Sequence, residues 1–265
     1  MIGKRKLYRR WKRRLVAQTK RGEKLLSECL RTGDAEVVHD LRVTLRRTRL
    51  LALVGTPVLS KPPATEFRQW ALKVALELGR LRDYDVIREW LKTHWPDAKH
   101  NRVVLAARNR IWRSTRPKLM VLSRLRGDQL FHGNPSTARP GKLRKRFFRQ
   151  SAKIRAALRH DTTRFHQLDA GARHEFRRAL RRLRYLRELS LRQRDQERDR
   201  RLKRLIAFQE ALGEMQNCWV VRTFFSSPPG SESRREIARL AEVQEHKWLK
   251  RAERHLGEFL RQRDG

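Results

Sequence analysis

The sequence predicts an all-α fold built from two related halves within one domain. Apolar residues recur at helical spacing, and no stretch shows the period-2 alternation with β-branched residues that is typical of strands. A segment containing His39 and several arginines recurs at His174, 135 positions later. The pair Leu78-Gly79 recurs as Leu212-Gly213, 134 positions later. Two copies of about 130 residues, each with four helical segments, predict two four-helix bundles related by a pseudo-twofold axis.

The first half, about residues 1–131, is predicted to contain four helices. Gly33 suits the C-terminus of the first helix, and Asp34 suits the N-cap of the second. Pro62-Pro63 predicts a loop, with Thr65 as the N-cap of the third helix. Core candidates on the fourth helix include Val103, Leu105, Ile111, Trp112 and Leu119. The predicted helices span about 4–31, 35–54, 66–94 and 98–130.

The second half, about residues 142–265, repeats this scheme after a linker. Residues 132–141 are rich in Gly, Pro, Ser and Asn, which is typical of a linker. The predicted helices of this half span about 142–160, 170–190, 199–226 and 233–261.

The composition predicts a polyanionic partner. There are 66 Lys and Arg residues against 28 Asp and Glu, a formal net charge of +38. This balance suits nucleic acid, polyphosphate or an anionic membrane surface. No apolar run approaches the roughly 20 residues of a membrane span, and no secretory signal is evident, so we expect no membrane span. The apolar side of the first helix favours a bundle helix over a membrane-bound one.

Cysteine usage predicts a reducing, cytoplasmic location. Cys29 and Cys218 are the two cysteines, and they form neither a disulfide framework nor a zinc-binding spacing. The nine histidines include no HExxH pair. We therefore predict no metal and no cofactor.

The repeated segment predicts one cationic face on each of two helices. His39, Arg42, Arg46 and Arg49 stand at i, i+3, i+7 and i+10, which places them within an arc of roughly 80° and along about 15 Å of a helix. The planar guanidinium group matches phosphate oxygens, so a row of such groups suits a linear polyanion. The second copy contributes His174, Arg177, Arg181 and Arg184.

Apolar residues form a separate stripe on both helices. Leu41 and Leu45 lie roughly 110° from the cationic row of the first copy, and Phe176 and Leu180 are placed similarly in the second. A single Arg stripe is usually a solvated face. Because the same His and Arg spacing occurs twice, we favour a functional role, with both rows lining a shared basic cleft.

These motifs resemble the CHAD family, the conserved histidine α-helical domain. Val38-His39-Asp40-Leu41-Arg42-Val43 with Arg46-Arg47-x-Arg49 fits the first family motif, and Leu78-Gly79-x-x-Arg82-Asp83-x-Asp85-Val86 fits the second. His174-x-x-Arg177 with Arg181-Arg182-Leu183-Arg184-Tyr185 and Glu188 fits the third, and Gln209-x-x-Leu212-Gly213 fits the fourth. Arg181 replaces a frequent Lys, and Asn217 replaces the usual Asp.

The resemblance implies paired helical bundles that bind inorganic polyphosphate along a basic central cleft, with possible association with polyphosphate granules. Family members are often fused to a triphosphate-tunnel domain, but this chain has no segment that predicts one. The binding residues implied are His39, Arg42, Arg46, Arg49, His174, Arg177, Arg181 and Arg184, with Arg47 and Arg182 as flanking residues. The predicted supporting residues are Arg82 and four acids, whose carboxylates would orient guanidinium groups: Asp40, Asp83, Glu175 and Glu188.

The predicted function is non-catalytic polyphosphate binding. The sequence offers no metal site, nucleophile–base pair or Gly-rich phosphate loop, so we do not expect an enzyme. The alternative is an RNA- or DNA-binding basic helical protein, although no set of aromatic or amide side chains is evident for base recognition. A bound polyanion should favour protonation of His39 and His174, so binding should strengthen as pH falls below about 7.

Overall fold

The computed structural model describes residues 2–59, 61–123, 140–162, 164–227 and 231–260. All regular secondary structure in these ranges is helical, and they contain no strand. The predicted all-α fold is therefore confirmed. The helices are α1 (Lys4–Thr32), α2 (Ala35–Gly55), α3 (Lys61–His94), α4 (Ala98–Ser123), α5 (Pro140–Thr162), α6 (Ala170–Ser190), α7 (Gln193–Gln196), α8 (Arg200–Ser226) and α9 (Glu232–Leu260).

The start of α3 corrects one prediction. The helix already begins at Lys61, so Pro62-Pro63 is not a loop and Thr65 is not an N-cap. Proline is tolerated in a first helical turn because the N–H groups there have no intrahelical acceptor.

Two predictions around the linker extend outside the described residues. These are the continuation of α4 over 124–130 and the linker over 132–139. The last two predicted linker residues, Pro140 and Gly141, belong to α5. The short helix α7 and a 3-10 turn at Phe165–Gln167 were not predicted.

The chain forms two compact units. Unit 1 comprises Met1–Arg88 and Ala98–Gln150, and unit 2 comprises Glu89–Asp97 and Ser151–Gly265. The division into halves of about 1–131 and 142–265 stays a prediction from the sequence.

Unit 1 has an aliphatic core between α1, α2, α3 and α4. On α1, Leu7 and Leu15 are fully buried, and the indole N–H of Trp11 donates to the Leu51 carbonyl of α2 at 2.8 Å. The core also includes Leu41, Leu45, Phe67, Val74, Leu78, Leu81 and Leu119.

The turn between α1 and α2 requires glycine at position 33. Gly33 has φ of 62°, in the left-handed region, and its N–H donates to the Cys29 carbonyl. A Cβ atom there would lie 2.6 Å from the Trp112 ring. The turn is also held by Arg108, whose guanidinium donates to the Gly33 carbonyl and, 2.5 Å away, to the buried carboxylate of Asp85.

Unit 2 has an aromatic core. The rings of Phe165, Phe176, Phe208 and Phe259 form a continuous series with centroid separations of 5.3, 5.8 and 6.3 Å. Phe176 comes from α6, Phe208 from α8 and Phe259 from α9, so the series ties these three helices together. It fixes the orientation of α6, which carries the second motif.

Candidate polyanion-binding site

The two motif helices, α2 and α6, have equivalent bounds. Each has 21 residues, and α6 begins and ends 135 positions after α2. Asp34 caps α2 by accepting from the N–H groups of Glu36 and Val37, and Asp169 caps α6 by accepting from that of Ala172. The sequence repeat therefore coincides with a repeat of helix start, helix end and cap.

Both motif helices bury the predicted apolar stripe. Leu41 and Leu45 of α2 are 0% and 2% exposed, and Phe176 and Leu180 of α6 are fully buried. The predicted binding arginines are half-buried on both helices, and so is His39, whereas His174 is exposed. The half-buried arginines are Arg42, Arg46, Arg49, Arg177, Arg181 and Arg184.

The first arginine of each row lies against the glycine of the Leu-Gly pair. Arg42 Nη1 is 3.6 Å from the position a Cβ of Gly79 would occupy, and Arg177 Nη2 is 3.6 Å from the corresponding position at Gly213. In both copies, the group that lies against this glycine is a guanidinium. Sequence reasoning missed this contact, although the repeated glycine was its signal.

Arg42 is also held by the backbone of α3. Its Nη1 donates to the carbonyl of Ala75, one turn before Gly79. A helical carbonyl oxygen has a second lone pair that can accept such a bond. The guanidinium thus packs directly against the backbone of α3 between Ala75 and Gly79. The hydrogen bond fixes the position of the first cation in the row.

Charges from α3 surround the N-terminal half of α2. The pKa of His39 is lowered, first by desolvation and then by the positive charges of Arg82 and Arg46. The pKa of Asp83 is raised by desolvation, against the opposing effect of Arg42, Arg82 and Arg80. Arg82 and Asp83, two of the predicted supporting residues, thus act electrostatically on His39 and Arg42.

His174 has a similar electrostatic environment on α6. Its pKa is lowered by desolvation and by the positive charges of Arg177, Arg178 and Arg181, while Glu175 opposes them. For both histidines, desolvation first and neighbouring guanidinium groups second disfavour the charged imidazolium form. An anion bound along either row would reduce this repulsion and favour the imidazolium form.

Three predicted supporting acids have defined partners. Glu188 lies 3.2 Å from Arg184 Nε, one turn along α6, and both side chains are 15% exposed. Asp40 pairs with Arg21 of α1 at 2.5 Å, and Glu175 pairs with Arg178 at 2.6 Å. Arg21 and Arg178 are not among the predicted binding residues.

The two flanking arginines differ in exposure. Arg47 is half-buried on α2, whereas Arg182, its counterpart on α6, is exposed. Each lies about 100° around its helix from the neighbouring row residue, Arg46 or Arg181. That the two rows line one shared cleft stays a prediction.

The described residues contain neither a metal-ligand cluster nor a membrane-spanning helix. They contain no group of three His, Cys, Asp or Glu side chains placed to hold a metal ion. Within the same ranges, no helix combines the length and apolar character needed to cross a bilayer.

The model of the CHAD domain family matches residues 14–226, a range that contains both motif helices. The chain belongs to the CHAD domain family. The resemblance found in the sequence motifs is thereby confirmed.

Solved structures show the same fold. The CHAD domain of the plant Ricinus communis matches with a TM-score of 0.66 and 20% identity, over 92% of this chain and 88% of that one. PptA from Streptomyces chartreusis matches with a TM-score of 0.53 and 16% identity, over 91% of this chain and 93% of that one. A search of curated proteins found no match.

Proposed function

We propose that this CHAD domain binds inorganic polyphosphate without catalysis, through the cationic rows of α2 and α6. The observation that carries the proposal is that the first arginine of each row packs against a glycine: Arg42 against Gly79 and Arg177 against Gly213. Guanidinium groups held in this way lose little conformational freedom when they bind phosphate oxygens. The family resemblance implies the same ligand.

A linear phosphate chain fits the chemistry of these rows. On each helix the histidine and the three arginines lie at i, i+3, i+7 and i+10, so they follow a line of about 15 Å rather than surrounding a point. Each guanidinium can donate two parallel hydrogen bonds to the oxygens of one phosphate group. We infer association with polyphosphate granules from the same binding.

We also propose that the two rows arose by internal duplication. The same offset of 135 positions relates the N-cap aspartates, the helix ends and all four residues of each row. Two helices with unrelated origins would have no reason to agree at so many positions.

The test is a competition experiment on the whole chain. Labelled long-chain polyphosphate would be bound to the protein and challenged with RNA, duplex DNA and triphosphate at physiological salt. The variant Arg42→Ala/Arg177→Ala should lose at least about tenfold in affinity, because a hydrogen bond to a charged group contributes about 1.5–3 kcal/mol.

The matched control removes two charges elsewhere. Arg102 and Arg113 are exposed on α4, so Arg102→Ala/Arg113→Ala lowers the net charge equally. It should change the affinity by less than about threefold. If RNA displaces polyphosphate readily and both variants weaken binding alike, attraction is diffuse and the proposal is wrong.

A further inference from the structure

The outer face of α1 carries the longest exposed row of cations among the described helices. The row runs over about 38 Å and stays within an arc of roughly 60°. All six side chains are exposed. They are Lys6, Arg9, Arg13, Lys20, Lys24 and Arg31.

No acidic side chain neutralises this α1 row. The two acids of α1, Glu23 and Glu28, lie about 40° outside its arc, one on each side. Among the described residues, no member of the row takes part in an ion pair or a side-chain hydrogen bond. By contrast, Arg21, which lies outside the arc, is paired with Asp40.

The α1 row faces away from α2 and its motif row. Leu7, Trp11 and Leu15 are buried on the opposite side of α1, centred about 180° from the row. On that buried side, a Cβ atom added at Gly22 would lie 3.5 Å from Thr44 Cγ2 of α2, so the two helices approach closely there. Thr44 is itself about 180° around α2 from the motif row. Unit 1 thus presents two cationic rows on different surfaces.

The composition of the α1 row argues against a membrane or base-reading role. A helix that binds a bilayer buries its apolar face in the lipid, but the apolar face of α1 is buried in the core of unit 1. Within the row, the intervening outer positions are Ala17 and Ser27, so it has no aromatic or amide side chain for base stacking or base-edge contacts. Its chemistry is suited to the phosphate groups of a polyanion rather than to bases.

The shape of the row favours a single linear chain. Six cations in one line along the outer side of a helix can contact successive phosphates of an extended chain. The two backbones of a duplex instead curve around the helix axis, so they diverge from a straight row.

We propose that the α1 row is a second polyphosphate-binding surface, so that one molecule bridges two chain segments. This inference rests on the proposed function, because the motif rows supply the other binding surface. The α1 row binds more weakly than they do and is more sensitive to salt, since its side chains are exposed and half of them are strongly hydrated lysines. Bridging by two surfaces condenses long chains into particles.

The experiment compares bridging with binding. The row variant is Arg9→Gln/Arg13→Gln/Lys20→Gln/Lys24→Gln. The matched control is Arg102→Gln/Arg110→Gln/Arg113→Gln/Lys145→Gln, which neutralises four other exposed cations of unit 1. Both lower the formal net charge from +38 to +34. Circular dichroism would check that both keep the helical content of the wild-type protein.

Two readouts would be taken for each protein. The first is the affinity for a short polyphosphate chain that can occupy one motif row. The second is light scattering as long-chain polyphosphate is titrated at about 0.15 M salt. The row variant should keep the short-chain affinity within about threefold, yet need at least about fivefold more protein for scattering to begin. The control should shift that onset by less than twofold.

Other outcomes would overturn the inference. If the row variant and the control reduce scattering alike, particle formation reflects total charge. If the row variant scatters like the wild-type protein but loses affinity for single-stranded RNA, the surface binds nucleic acid. If the proposed function itself is wrong, Arg42→Ala/Arg177→Ala will leave the short-chain affinity unchanged. That result distinguishes its failure from failure of the α1 row.

Discussion

The motif helices α2 and α6 carry the same cations but differ in the acids around them. The positive charge of Arg42 acts on Asp83 of α3. The equivalent position of α8 is Asn217, which contacts Glu214. Conversely, Glu188 holds Arg184 on α6, whereas the equivalent position of α2 is Leu53. The arginines of the rows repeat at every position, whereas Asp83 and Glu188 have no acidic counterpart in the other copy. These two acids therefore belong to the local packing of their own helix.

The surroundings of the two helices differ further in a buried ion pair. Asp85 and Arg108 pair inside unit 1, with side chains 1% and 8% exposed. The position equivalent to Asp85 in the second copy of the motif is Trp219. Unit 1 therefore uses a charge pair at a place where unit 2 uses an aromatic side chain.

The largest expected effect comes from breaking this ion pair. Arg108→Ala should lower the free energy of unfolding of unit 1 by about 3–5 kcal/mol, because it leaves the Asp85 carboxylate buried without its cation. It also removes the hydrogen bond to the Gly33 carbonyl, which holds the turn before α2. Chemical denaturation followed by circular dichroism would measure the change.

The control for this prediction is Arg110→Ala, an exposed position on the same helix, with an expected change within about 0.5 kcal/mol. The double variant Asp85→Ala/Arg108→Ala should be less destabilised than the sum of the two single variants. Equal losses for Arg108→Ala and Arg110→Ala would contradict the assigned role of the pair.

A smaller effect should follow from removing the acid beside α2. Asp83→Asn raises the net charge, so diffuse attraction would strengthen polyphosphate binding. If the carboxylate orients Arg42, binding should instead weaken, by about threefold. Titration calorimetry with a short polyphosphate chain would show whether the affinity rises or falls.

The control here is Glu66→Gln, an exposed acid at the start of α3 that changes the charge equally. It should leave the affinity unchanged or raise it slightly. Tighter binding by Asp83→Asn than by this control would show that Asp83 opposes the ligand rather than positioning Arg42.

The smallest expected effect is a pH dependence from His39 and His174. Desolvation and neighbouring arginines lower both pKa values below the usual 6.5 in the free protein. A bound polyanion raises these pKa values, so binding takes up protons and strengthens as pH falls through the interval between the bound and free values. The affinity should rise by about two- to tenfold between about pH 8 and pH 5.5.

Calorimetry in buffers with different ionisation enthalpies would detect this proton uptake directly. His39→Gln/His174→Gln should abolish it, and His246→Gln, at an exposed position of α9, should not. A flat pH profile together with unaltered binding by His39→Ala/His174→Ala would exclude a role for these side chains.

Helix bounds could be predicted from the sequence where local chemistry decides them. Asp34, Gly33 and the 3.6-residue periodicity determine where α2 begins, and its bounds agree with the prediction within one residue. The inward face of α4 could not be predicted in this way. Val103, a predicted core residue, is 54% exposed, while Arg108 is buried. From the sequence alone, a charged side chain is predicted to be exposed to solvent unless its partner is known. The partner of Arg108 is Asp85, which lies 23 positions away.

The membership and spacing of the two cationic rows were evident in the sequence, but the contacts that hold them were not. The pair Glu175–Arg178 follows from i, i+3 spacing, as Arg184–Glu188 does from i, i+4. The bond from Arg42 to the Ala75 carbonyl joins residues 33 positions apart on different helices. Such a contact depends on how two helices pack, which periodicity along one helix does not determine.

The capped ends of the motif helices have a consequence for how a chain would be held. An open helix N-terminus attracts a terminal phosphate group, because its N–H groups and dipole favour negative charge. Here the side chain of Asp34 already accepts from two of those N–H groups, and that of Asp169 accepts from one. Under the proposed function, these caps would weaken any preference for the end of a phosphate chain over its middle. A bound chain would then be able to shift by one phosphate at a time between equivalent contacts. Affinity would then increase with chain length, because a longer chain has more internal positions at which it can make these contacts.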